Sequence, residues 1–337
     1  MSYKVAINGF GRIGRNAFKI AFEHRELDVV AINDLTDTKT LAYLLKHDSN
    51  YGTYHREVGY DSAGLIIDGN HVRVTAEREP ASLPWKDLQI DVVIESTGRF
   101  TKHDDLGKHL EAGAKKVVLS APEKDDHFHD TYVIGANEHE LKPEHDIISN
   151  ASCTTNCIAP VMAVLSEALG IEKSLMTTVH SYTASQALQD APAKDLREGR
   201  NAAQNIVPTT TGAAIAAALT VPELKGRFDG LSIRVPSPVV SLSDITFVSK
   251  RDTTVDEVNQ ILKTAASSDR HRGIIAVTDE ELVSKDLLGD SHSAIVDANL
   301  TNVVGGNLVK VVAWYDNEWG YSNRLVEMVI LAAQSAT

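Results

Sequence analysis

Hydrophobic and polar positions in the first half of the chain change repeatedly from short apolar runs to helical spacing. Apolar runs at residues 4–8 and 27–33 flank a stretch with helical spacing over residues 15 to about 24. This order predicts a βαβ unit with parallel strands. The same reading predicts helices at 36–47 and 104–113, and strands at 58–60, 65–67, 71–75, 89–95, 116–119, 132–134 and 147–148.

The pattern becomes longer and more strictly alternating beyond residue 152. Alternation of this kind is typical of an antiparallel sheet with one covered face. Strands are predicted at 174–180, 232–234, 241–250, 274–277, 293–297 and 308–315, and helices from about 153 and at 211–221, 255–266 and 324–333. Residues 181–204 are polar without a period, which favours a functional loop or an interface.

Three glycines stand at the turn of the predicted βαβ unit. Gly9, Gly11 and Gly14 form G-x-G-x-x-G directly after the first strand, and Asp34 follows the second strand, twenty residues past Gly14. In this context the glycines permit a tight turn, a close approach of a pyrophosphate and close helix–strand packing, while the acid binds a ribose diol. The carboxylate would repel a 2′-phosphate, so NAD is favoured over NADP. A glycine-rich turn without a ligand is the alternative.

Composition and charge narrow the class of protein. The chain has 337 residues and a net charge of −13, which disfavours nucleic acid and anionic membranes as partners. Its longest apolar run, residues 328–333, is too short for a bilayer, which needs about 20 residues. The first residues lack a secretory pattern. We therefore expect a cytoplasmic protein whose two cysteines stay reduced, with no disulfide framework and no metal site.

Cys153 is the candidate nucleophile. It lies where a strand-like run gives way to a helix, and the unpaired N–H groups of a helix start favour a thiolate. His180 ends the next predicted strand and opens the polar loop, so it is the natural base, able to form a thiolate–imidazolium pair. The contexts of other histidines predict surface positions for His24, His47, His103, His109 and His145.

The chain resembles the phosphorylating glyceraldehyde-3-phosphate dehydrogenases, in their bacterial form. The segments that carry the likeness occur in the family's order from end to end: NGFGRIGR (8–15), ASCTTNC (151–157), TVH (178–180), TTGAA (210–214) and WYDNEWGYS (314–322). The resemblance implies an α/β fold, with a Rossmann dinucleotide-binding domain and an α+β catalytic domain whose sheet is mainly antiparallel. The boundaries are 1–152 and 153–317, with a C-terminal helix at about 318–337 packing back on the NAD domain.

The resemblance also implies a reaction. D-glyceraldehyde 3-phosphate, NAD and inorganic phosphate would give 1,3-bisphosphoglycerate through a hemithioacetal and a thioester on Cys153, with His180 as the base. The attacking phosphate would be held by Ser152, Thr154, Thr211 and Gly212. Thr183 and Arg234 would hold the substrate's phosphate, and Arg197 would add positive charge between the two. Such a pocket of arginines and hydroxyls suits two phosphates in an acidic protein.

The implied cofactor contacts extend beyond the glycine motif and Asp34. Arg12 and Ile13 would contact the pyrophosphate through the backbone. The adenine and ribose would be lined by Arg78, Thr97 and Ser120, and the nicotinamide by Asn317 and Tyr321. The resemblance further implies a homotetramer with the 181–204 loop between subunits.

Some positions depart from the family pattern, and other functions remain open. Ile215 stands where many members carry lysine, and Ser185 and Ala187 replace more polar loop residues. Cys157 is expected to be a buried helix residue without a catalytic role. The alternatives are an erythrose-4-phosphate dehydrogenase, which works chiefly by hydrolysis, and a Rossmann-type binding protein that has lost catalysis.

Overall fold

The computed structural model describes residues 2–125 and 130–335. Contacts divide these into two units. The first comprises residues 2–125, 130–132, 139–151 and 322–335, and the second comprises 133–138 and 152–321. No helix within the described ranges is long and apolar enough to cross a membrane. The predicted boundaries also covered Met1, residues 126–129 and residues 336–337, which lie outside the described part of the chain.

The first unit is built on a largely parallel sheet in the order β10-β9-β8-β1-β2-β7-β6-β5. Only the β7-β6 and β6-β5 pairs of this path are antiparallel. Its elements in chain order are β1 (Tyr3–Asn8), α1 (Arg12–Ala21), β2 (Leu27–Asn33), α2 (Thr38–Lys46), β3 (His47–Asp48), β4 (Gly52–Thr53), β5 (Val58–Tyr60), β6 (Gly64–Ile67), β7 (Asn70–Thr75), α3 (Trp85–Leu88), β8 (Val92–Glu95), α4 (His103–Glu111), β9 (Lys116–Leu119) and β10 (Ile147–Ser149).

The central strands of the first unit are apolar because both of their faces are covered. Val5, Ala6 and Ile7 of β1 are fully buried, as are the neighbouring residues of β8. One core cluster packs Ala6 and Val93 against Trp85 of α3. Since β1, β2 and β8 are parallel, their carboxyl ends lie at one edge of the sheet, where open α/β sheets bind ligands.

The second unit contains a mixed, mainly antiparallel sheet in the order β12-β13-β11-β14-β18-β16-β15, with β17 on β18. Its parallel pairs on this path are β11-β13 and β15-β16. The elements are α5 (Cys153–Leu169), β11 (Ile171–Ser181), β12 (Val207–Thr210), α6 (Ala213–Thr220), β13 (Phe228–Val235), β14 (Ser241–Ser249), α7 (Val255–Ser267), β15 (Ile275–Thr278), β16 (Ala294–Asp297), β17 (Asn302–Val304), β18 (Leu308–Tyr315) and α8 (Trp319–Ser335). Residues 322–335 of α8 cluster with the first unit.

Most predicted elements form, and the differences have local causes. The predicted strand at 132–134 is wrong, because the chain makes only an isolated bridge there, from Thr131 to Ser149. α1 starts at Arg12, three residues before the predicted start. The strand β12 was not predicted, since Val207 and Pro208 precede hydroxylated residues without an alternating pattern. The α/β fold class is confirmed.

The helix that begins with Cys153 is the predicted one, and its start has a defined cap. Ser152 is the N-cap of α5, and its Oγ accepts a hydrogen bond from the Thr155 N–H at 3.1 Å. Ala151, just before the cap, has φ of 54°. That left-handed conformation costs a non-glycine residue on the order of 1–2 kcal/mol. The backbone at this junction is therefore strained immediately before the cysteine.

Candidate active site and dinucleotide pocket

A cavity of about 320 Å³ opens at the carboxyl ends of β1, β2 and β8. Four residues predicted to bind a dinucleotide besides Asp34 line it, namely Gly9, Gly11, Arg78 and Thr97. It is also lined by residues that were not predicted: Asn8, Asn33, Leu35, Glu77, Ser96, Arg99 and Phe100. The position of Asn8, Asn33 and Ser96 at strand ends is the sequence signal that could have found them.

Each of the three motif glycines is required for a different local reason. Gly9 has φ of 92°, and a Cβ there would lie 2.6 Å from the Thr97 nitrogen. A Cβ on Gly14 would lie 2.1 Å from the Gly9 carbonyl oxygen. A Cβ on Gly11 would meet no atom within 4 Å. Gly11 therefore keeps open space beside the start of α1, which fits a pyrophosphate at a helix N-terminus.

Asp34 is held at the cavity by its own neighbours. Its Oδ2 accepts from the Phe10 N–H at 2.8 Å, and its Oδ1 accepts from the Thr36 N–H at 3.0 Å. Each carboxylate oxygen keeps a further lone pair, so a diol can still donate to both. The carboxylate is thus presented as a fixed acceptor, as a ribose site requires.

The predicted cofactor residues Arg12, Ile13, Gly14 and Ser120 of the first unit are not part of the cavity lining. Arg12 Nη1 contacts Asp48 Oδ2 of β3 at 2.5 Å. The side chain of Arg12 therefore points toward β3, while its backbone forms the first residue of α1. Ile13 is half-buried in the first turn of α1. Ser120 donates its backbone N–H to the Glu95 carbonyl at 2.9 Å.

A buried polar network underlies the cavity floor. Glu95, which is fully buried, accepts from Asn8 Nδ2 at 2.5 Å and from the Thr97 N–H at 2.8 Å. His109 Nε2 lies 3.1 Å from the same carboxylate, and its Nδ1 accepts from the indole N–H of Trp85 at 3.0 Å. The surface prediction for His109 is therefore wrong. His109 shares a helix face with buried Leu106 at i, i+3, which the polar neighbours concealed.

Cys153 and His180 meet in the second unit. The Cys153 Sγ lies 3.5 Å from His180 Nε2. Cys153 opens α5, and His180 stands near the end of β11, as the sequence predicted. The ring of Tyr315 packs edge-on against the His180 ring with centroids 6.0 Å apart.

The environment of His180 favours its neutral form. His180 is buried, and Arg234 lies opposite it in the parallel register of β11 and β13. Burial, with the charge of Arg234 as the second cause, lowers the pKa of His180 to about 3. Its Nδ1 lies 2.8 Å from the Ser181 carbonyl oxygen and 2.5 Å from Arg234 Nη1. Burial and the Arg234 charge thus both act against the imidazolium form of the expected thiolate–imidazolium pair.

Opposing influences act on the two cysteines. Burial raises the pKa of the Cys153 thiol, while the Arg234 charge and the first N–H groups of α5 act in the opposite direction. Burial raises the pKa of Cys157 as well. Cys157 is fully buried with its Sγ 3.9 Å from the Ala313 carbonyl oxygen. The Cys153 thiol thus has a base nearby, His180, whereas the Cys157 thiol faces a carbonyl oxygen.

His180 should make stability depend on acid pH. Its folded pKa of about 3 lies below the ordinary 6.5, so the unfolded chain binds a proton that the folded chain resists. Stability is therefore lost as the pH falls from 6.5 toward 3. We expect the melting temperature of His180→Asn to drop less than that of the wild type between pH 7 and pH 4, measured by calorimetry. An equal drop in both proteins would contradict the assignment.

The hydroxyl groups predicted to bind the attacking phosphate already take part in hydrogen bonds within the protein. Ser152 Oγ lies 2.7 Å from Thr155 Oγ1, and buried Thr154 Oγ1 lies 2.9 Å from the Tyr315 hydroxyl. Thr211 Oγ1 accepts from the Ala213 N–H at 3.2 Å at the start of α6. Gly212 is the N-cap of that helix, and a Cβ there would meet nothing within 4 Å.

Thr183 and Arg197 lie in the long loop of the second unit. Thr183 Oγ1 is 3.0 Å from Ser185 Oγ, one of the residues that departs from the family pattern. Arg197 is exposed, and its backbone N–H donates to Asp195 Oδ1 at 2.8 Å. It lines a separate cavity with Thr209 and Leu231. The structure does not place Arg197 in contact with Cys153 or His180.

Asn317 and Tyr321 flank the start of α8. Asn317 is buried, and its Oδ1 accepts from the hydroxyls of Ser181 and Ser241, each at 3.0 Å. These two donors fix the amide orientation and leave Nδ2 as its donor. Tyr321 is also buried. Sequence reasoning missed Ser181, Ser241 and Tyr315, because only the folded sheet brings them to this site.

A thiol with a nearby imidazole, on a chain that also carries a dinucleotide pocket, defines the class of nicotinamide-dependent dehydrogenases that oxidise an aldehyde through cysteine. The comparisons with known proteins are specific. Residues 3–103 match the family model "Glyceraldehyde 3-phosphate dehydrogenase, NAD binding domain", and residues 152–317 match the corresponding C-terminal domain. The chain belongs to the glyceraldehyde-3-phosphate dehydrogenase family.

Relatives that match over nearly their full length support the same family. The chain is 52% identical over 334 residues to glyceraldehyde-3-phosphate dehydrogenase of Geobacillus stearothermophilus, covering 99% of both chains. It is 50% identical over 335 residues to glyceraldehyde-3-phosphate dehydrogenase 1 of Bacillus subtilis, again covering 99% of both. The Zymomonas mobilis protein of the same name is 52% identical over 338 residues. The chain is an NAD-dependent oxidoreductase that acts on an aldehyde group.

Proposed function

We propose that Cys153 and His180 carry out the oxidative phosphorylation of D-glyceraldehyde 3-phosphate, with NAD and inorganic phosphate, to give 1,3-bisphosphoglycerate. The observation that supports this assignment is the 3.5 Å separation between the Cys153 sulfur and His180 Nε2 at the start of α5. A nucleophile and a base within reach of each other are what covalent aldehyde oxidation needs. The reaction serves glycolysis.

The residues divide the chemistry in two stages. The thiol proton of Cys153 passes to His180 Nε2 as the sulfur bonds to the aldehyde carbon, and the imidazolium returns this proton to the aldehyde oxygen, giving a hemithioacetal. His180 then removes the same hydroxyl proton while the carbon loses a hydride and a thioester remains. NAD, when bound, supplies the hydride acceptor. A phosphate oxygen then attacks the thioester carbonyl, the carbon–sulfur bond breaks, and the acyl phosphate leaves the cysteine.

Two phosphate sites accompany this scheme. Ser152, Thr154, Thr211 and Gly212 hold the attacking phosphate, Thr183 and Arg234 hold the phosphate of the substrate, and Arg197 adds positive charge. The start of α6 at Gly212 supports the first site, because the first N–H groups of a helix have no intrahelical acceptor and the space beside the Gly212 α-carbon is open; the Ala213 N–H is already accepted by Thr211 Oγ1. If Thr155 donates to Ser152, the Ser152 hydroxyl is left to donate to a phosphate oxygen.

The NAD site is assigned in the same way. Residues 1–152, with the C-terminal helix at 318–337, form the NAD-binding domain, and residues 153–317 form the catalytic domain. The dinucleotide contacts are Gly9, Gly11, Arg12, Ile13, Gly14, Asp34, Arg78, Thr97 and Ser120, with Asn317 and Tyr321 at the nicotinamide. The open space at Gly11 and the fixed carboxylate of Asp34 support this assignment.

Replacing Asp34 tests the ribose contact. Asp34→Gly removes the acceptor for the diol and the charge that repels a 2′-phosphate. We expect the ratio of kcat/KM for NAD to that for NADP to fall at least tenfold, which corresponds to about 1.4 kcal/mol. Asp28→Asn, which changes an exposed carboxylate on β2, the strand that Asp34 follows, is the matched control. An unchanged ratio would remove Asp34 from the ribose site.

The phosphate requirement tests the proposed reaction as a whole. NADH formation from glyceraldehyde 3-phosphate is followed by absorbance with and without inorganic phosphate. Turnover should require added phosphate beyond the first equivalent, because the thioester needs an attacking oxygen. Sustained phosphate-independent turnover with erythrose 4-phosphate would indicate the hydrolytic alternative. A lack of turnover with either aldehyde would favour the binding-protein alternative.

The assembly is proposed to be a cytoplasmic homotetramer. Support comes from exposed apolar side chains in the second unit, which include Leu175, Leu196, Ile206, Ile215 and Leu231. A cavity of about 870 Å³ on this unit is lined by two of them, Leu175 and Ile215, and by Phe228 and Leu308. The long loop after β11 would lie between subunits. Light scattering of the purified chain tests the tetramer, and cell fractionation tests the compartment.

A further inference from the structure

The buried polar network beneath the dinucleotide cavity has two ends at which the direction of hydrogen bonding is fixed. At one end the backbone N–H of Glu77 donates to Asn33 Oδ1 at 2.9 Å. At the other end the indole N–H of Trp85 donates to His109 Nδ1 at 3.0 Å. Neither N–H group can accept a hydrogen bond. The directions of the bonds between the two ends therefore follow from these donors.

The bonds that start from Glu77 lead to a carboxylate. Because Asn33 Oδ1 faces the Glu77 N–H, it is Asn33 Nδ2 that donates to Asn8 Oδ1, at 2.7 Å. The other end of the Asn8 amide is then its Nδ2, which donates to Glu95 Oε2 at 2.5 Å. The orientations of both amides are thus set by one backbone group, and a proton of Asn8 points to Glu95.

The bonds that start from Trp85 lead to the same oxygen. His109 Nδ1 keeps a lone pair to accept the indole N–H, so the ring proton lies on Nε2. His109 Nε2 lies 3.1 Å from Glu95 Oε2 and donates this proton to it. It also lies 3.5 Å from Asn8 Nδ2, a separation suited to two donors that share one acceptor.

The second oxygen of Glu95 receives two further donors. Glu95 Oε1 accepts from the Thr97 N–H at 2.8 Å and from the Thr97 hydroxyl. Within the described part of the chain, every polar group that contacts the Glu95 side chain is therefore a donor. Glu95 acts only as an acceptor, as an ionised carboxylate does. These bonds offset the cost of burying it, since its side chain is fully buried.

The Thr97 hydroxyl is consequently available to a ligand as an acceptor. Its proton goes to Glu95, and one lone pair of its Oγ1 accepts the Arg99 N–H at 3.1 Å. A second lone pair remains, and Thr97 lines the cavity together with the carboxylate of Asp34. Acceptors match the hydroxyl and amino groups of a nucleoside, whereas phosphate oxygens need donors, such as the N–H groups at the start of α1.

We propose that Glu95 is a positioning residue for the dinucleotide, which holds Thr97 and Asn8 in the orientations that the nucleoside part of NAD requires. Both residues line the cavity, whereas Glu95 is not part of the lining and acts through them. The inference rests on the proposed function, in which Thr97 contacts the adenine and ribose. Trp85 contributes from outside the cavity, because it fixes the His109 tautomer that donates to Glu95.

Glu95→Gln tests the proposal in the full-length protein. Glutamine has nearly the same shape, but its NH₂ group must face donors on one side, so that side of the network loses its acceptor. We expect the Kd values of NAD and of ADP-ribose, measured by calorimetry, to rise about tenfold, an effect of the size of one lost hydrogen bond to a charged group. At saturating NAD, kcat should change by less than about threefold. Unchanged Kd values overturn the proposal.

Asp91→Asn is the matched control at the opposite end of β8. The Asp91 carboxylate accepts the Lys4 N–H at 2.8 Å and pairs with Lys115 at 2.7 Å, so its replacement also removes a negative charge and weakens the sheet. We expect a lower melting temperature with an unchanged Kd for NAD. If this variant weakens NAD binding as much as Glu95→Gln does, general damage to the sheet explains both results and the proposal fails.

A double-variant cycle tests whether Glu95 acts through Thr97. Thr97→Val removes the hydroxyl from an exposed position and leaves the carboxylate in place. NAD binding should weaken in this variant, and adding Glu95→Gln should weaken it further by clearly less than the effect of Glu95→Gln alone. Full additivity of the two effects would mean that Glu95 does not act by orienting Thr97.

A measurement on the wild-type protein remains decisive where Glu95→Gln does not fold. Nitrogen-15 NMR of labelled histidines distinguishes protonated from unprotonated ring nitrogens, and the signal lost in His109→Gln identifies His109. The proton should lie on Nε2, with Nδ1 unprotonated. A proton on Nδ1 would contradict the convergence of donors on Glu95 and overturn the proposal.

Asp34→Gly separates a failure of this inference from a failure of the proposed site. Its affinity for NAD is measured by the same calorimetry. Unchanged binding in Asp34→Gly would mean that the nucleoside does not lie in this cavity, and the proposed cofactor site itself would be wrong. Weaker binding in Asp34→Gly with unchanged binding in Glu95→Gln would disprove only the positioning role of Glu95.

Discussion

Replacing Cys153 by alanine is expected to abolish NADH formation from glyceraldehyde 3-phosphate, with kcat reduced by a factor on the order of 10⁴ or more. Without the Cys153 sulfur, neither the hemithioacetal nor the thioester can form. The dinucleotide pocket is built from residues of the first unit, so NAD should still bind. Steady-state kinetics and a fluorescence titration with NAD check the two halves of this prediction.

Cys157→Ala is the control that the chain offers for this variant. Cys157 lies on the same helix, is fully buried and faces the Ala313 carbonyl oxygen rather than a base. It should retain most of its activity, with a modest loss of stability from the small cavity. Substantial turnover by Cys153→Ala would rule out the covalent mechanism. Equal loss of activity in both variants would indicate damage to α5 instead.

Replacing His180 by asparagine is expected to lower kcat about 10²–10⁴-fold, the usual contribution of a general base. Asparagine retains polarity but cannot take the thiol or hydroxyl proton at neutral pH. The alkylation rate of Cys153 should fall too, because the thiol then loses its proton only to solvent. Pre-steady-state NADH bursts and iodoacetamide kinetics measure the two effects.

The pH profile of the wild-type enzyme adds a test of the role of His180. Since the pKa of His180 is lowered to about 3, the ring is already unprotonated across pH 5–8, and its protonation should not limit the activity of the free wild-type enzyme there.

Rescue by imidazole is the control for the His180→Asn variant. Added imidazole should partly restore alkylation of Cys153 in this variant, because it can take the proton that His180 would have taken. Wild-type alkylation kinetics in the variant would mean that His180 does not activate the thiol.

Local sequence patterns were sufficient to predict much of the fold and the residues at the centre of the candidate site. Gly9, Gly11, Gly14 and Asp34 are close in sequence or separated by one helix, so their geometry follows from a single βαβ unit. Cys153 and His180 were found because each stands at the end of a periodic element. Such signals need no knowledge of which strands pair.

Residues that act through long-range contacts were missed for a physical reason. Tyr315 reaches the hydroxyls of Thr154 and Thr178 only because β18, β14 and β11 pair in the folded sheet. His109 appeared to be a surface residue because its neighbours in α4 are polar, yet its ring is buried between Trp85 and Glu95. A sequence window of one helix holds no information on either partner.

The shared register of β11 and β13 constrains how this site can evolve. His180 and Arg234 face each other because the two strands are paired over eight consecutive positions, from Ser174 opposite Phe228 to Ser181 opposite Val235. An insertion or deletion of one residue within either strand would turn the ring or the guanidinium to the opposite face. Changes in length should therefore be tolerated in the loop between β11 and β12, whereas selection should remove them from the two strands. Related proteins would then differ in how they fit the substrate through their loops, and His180 and Arg234 would be retained as a pair.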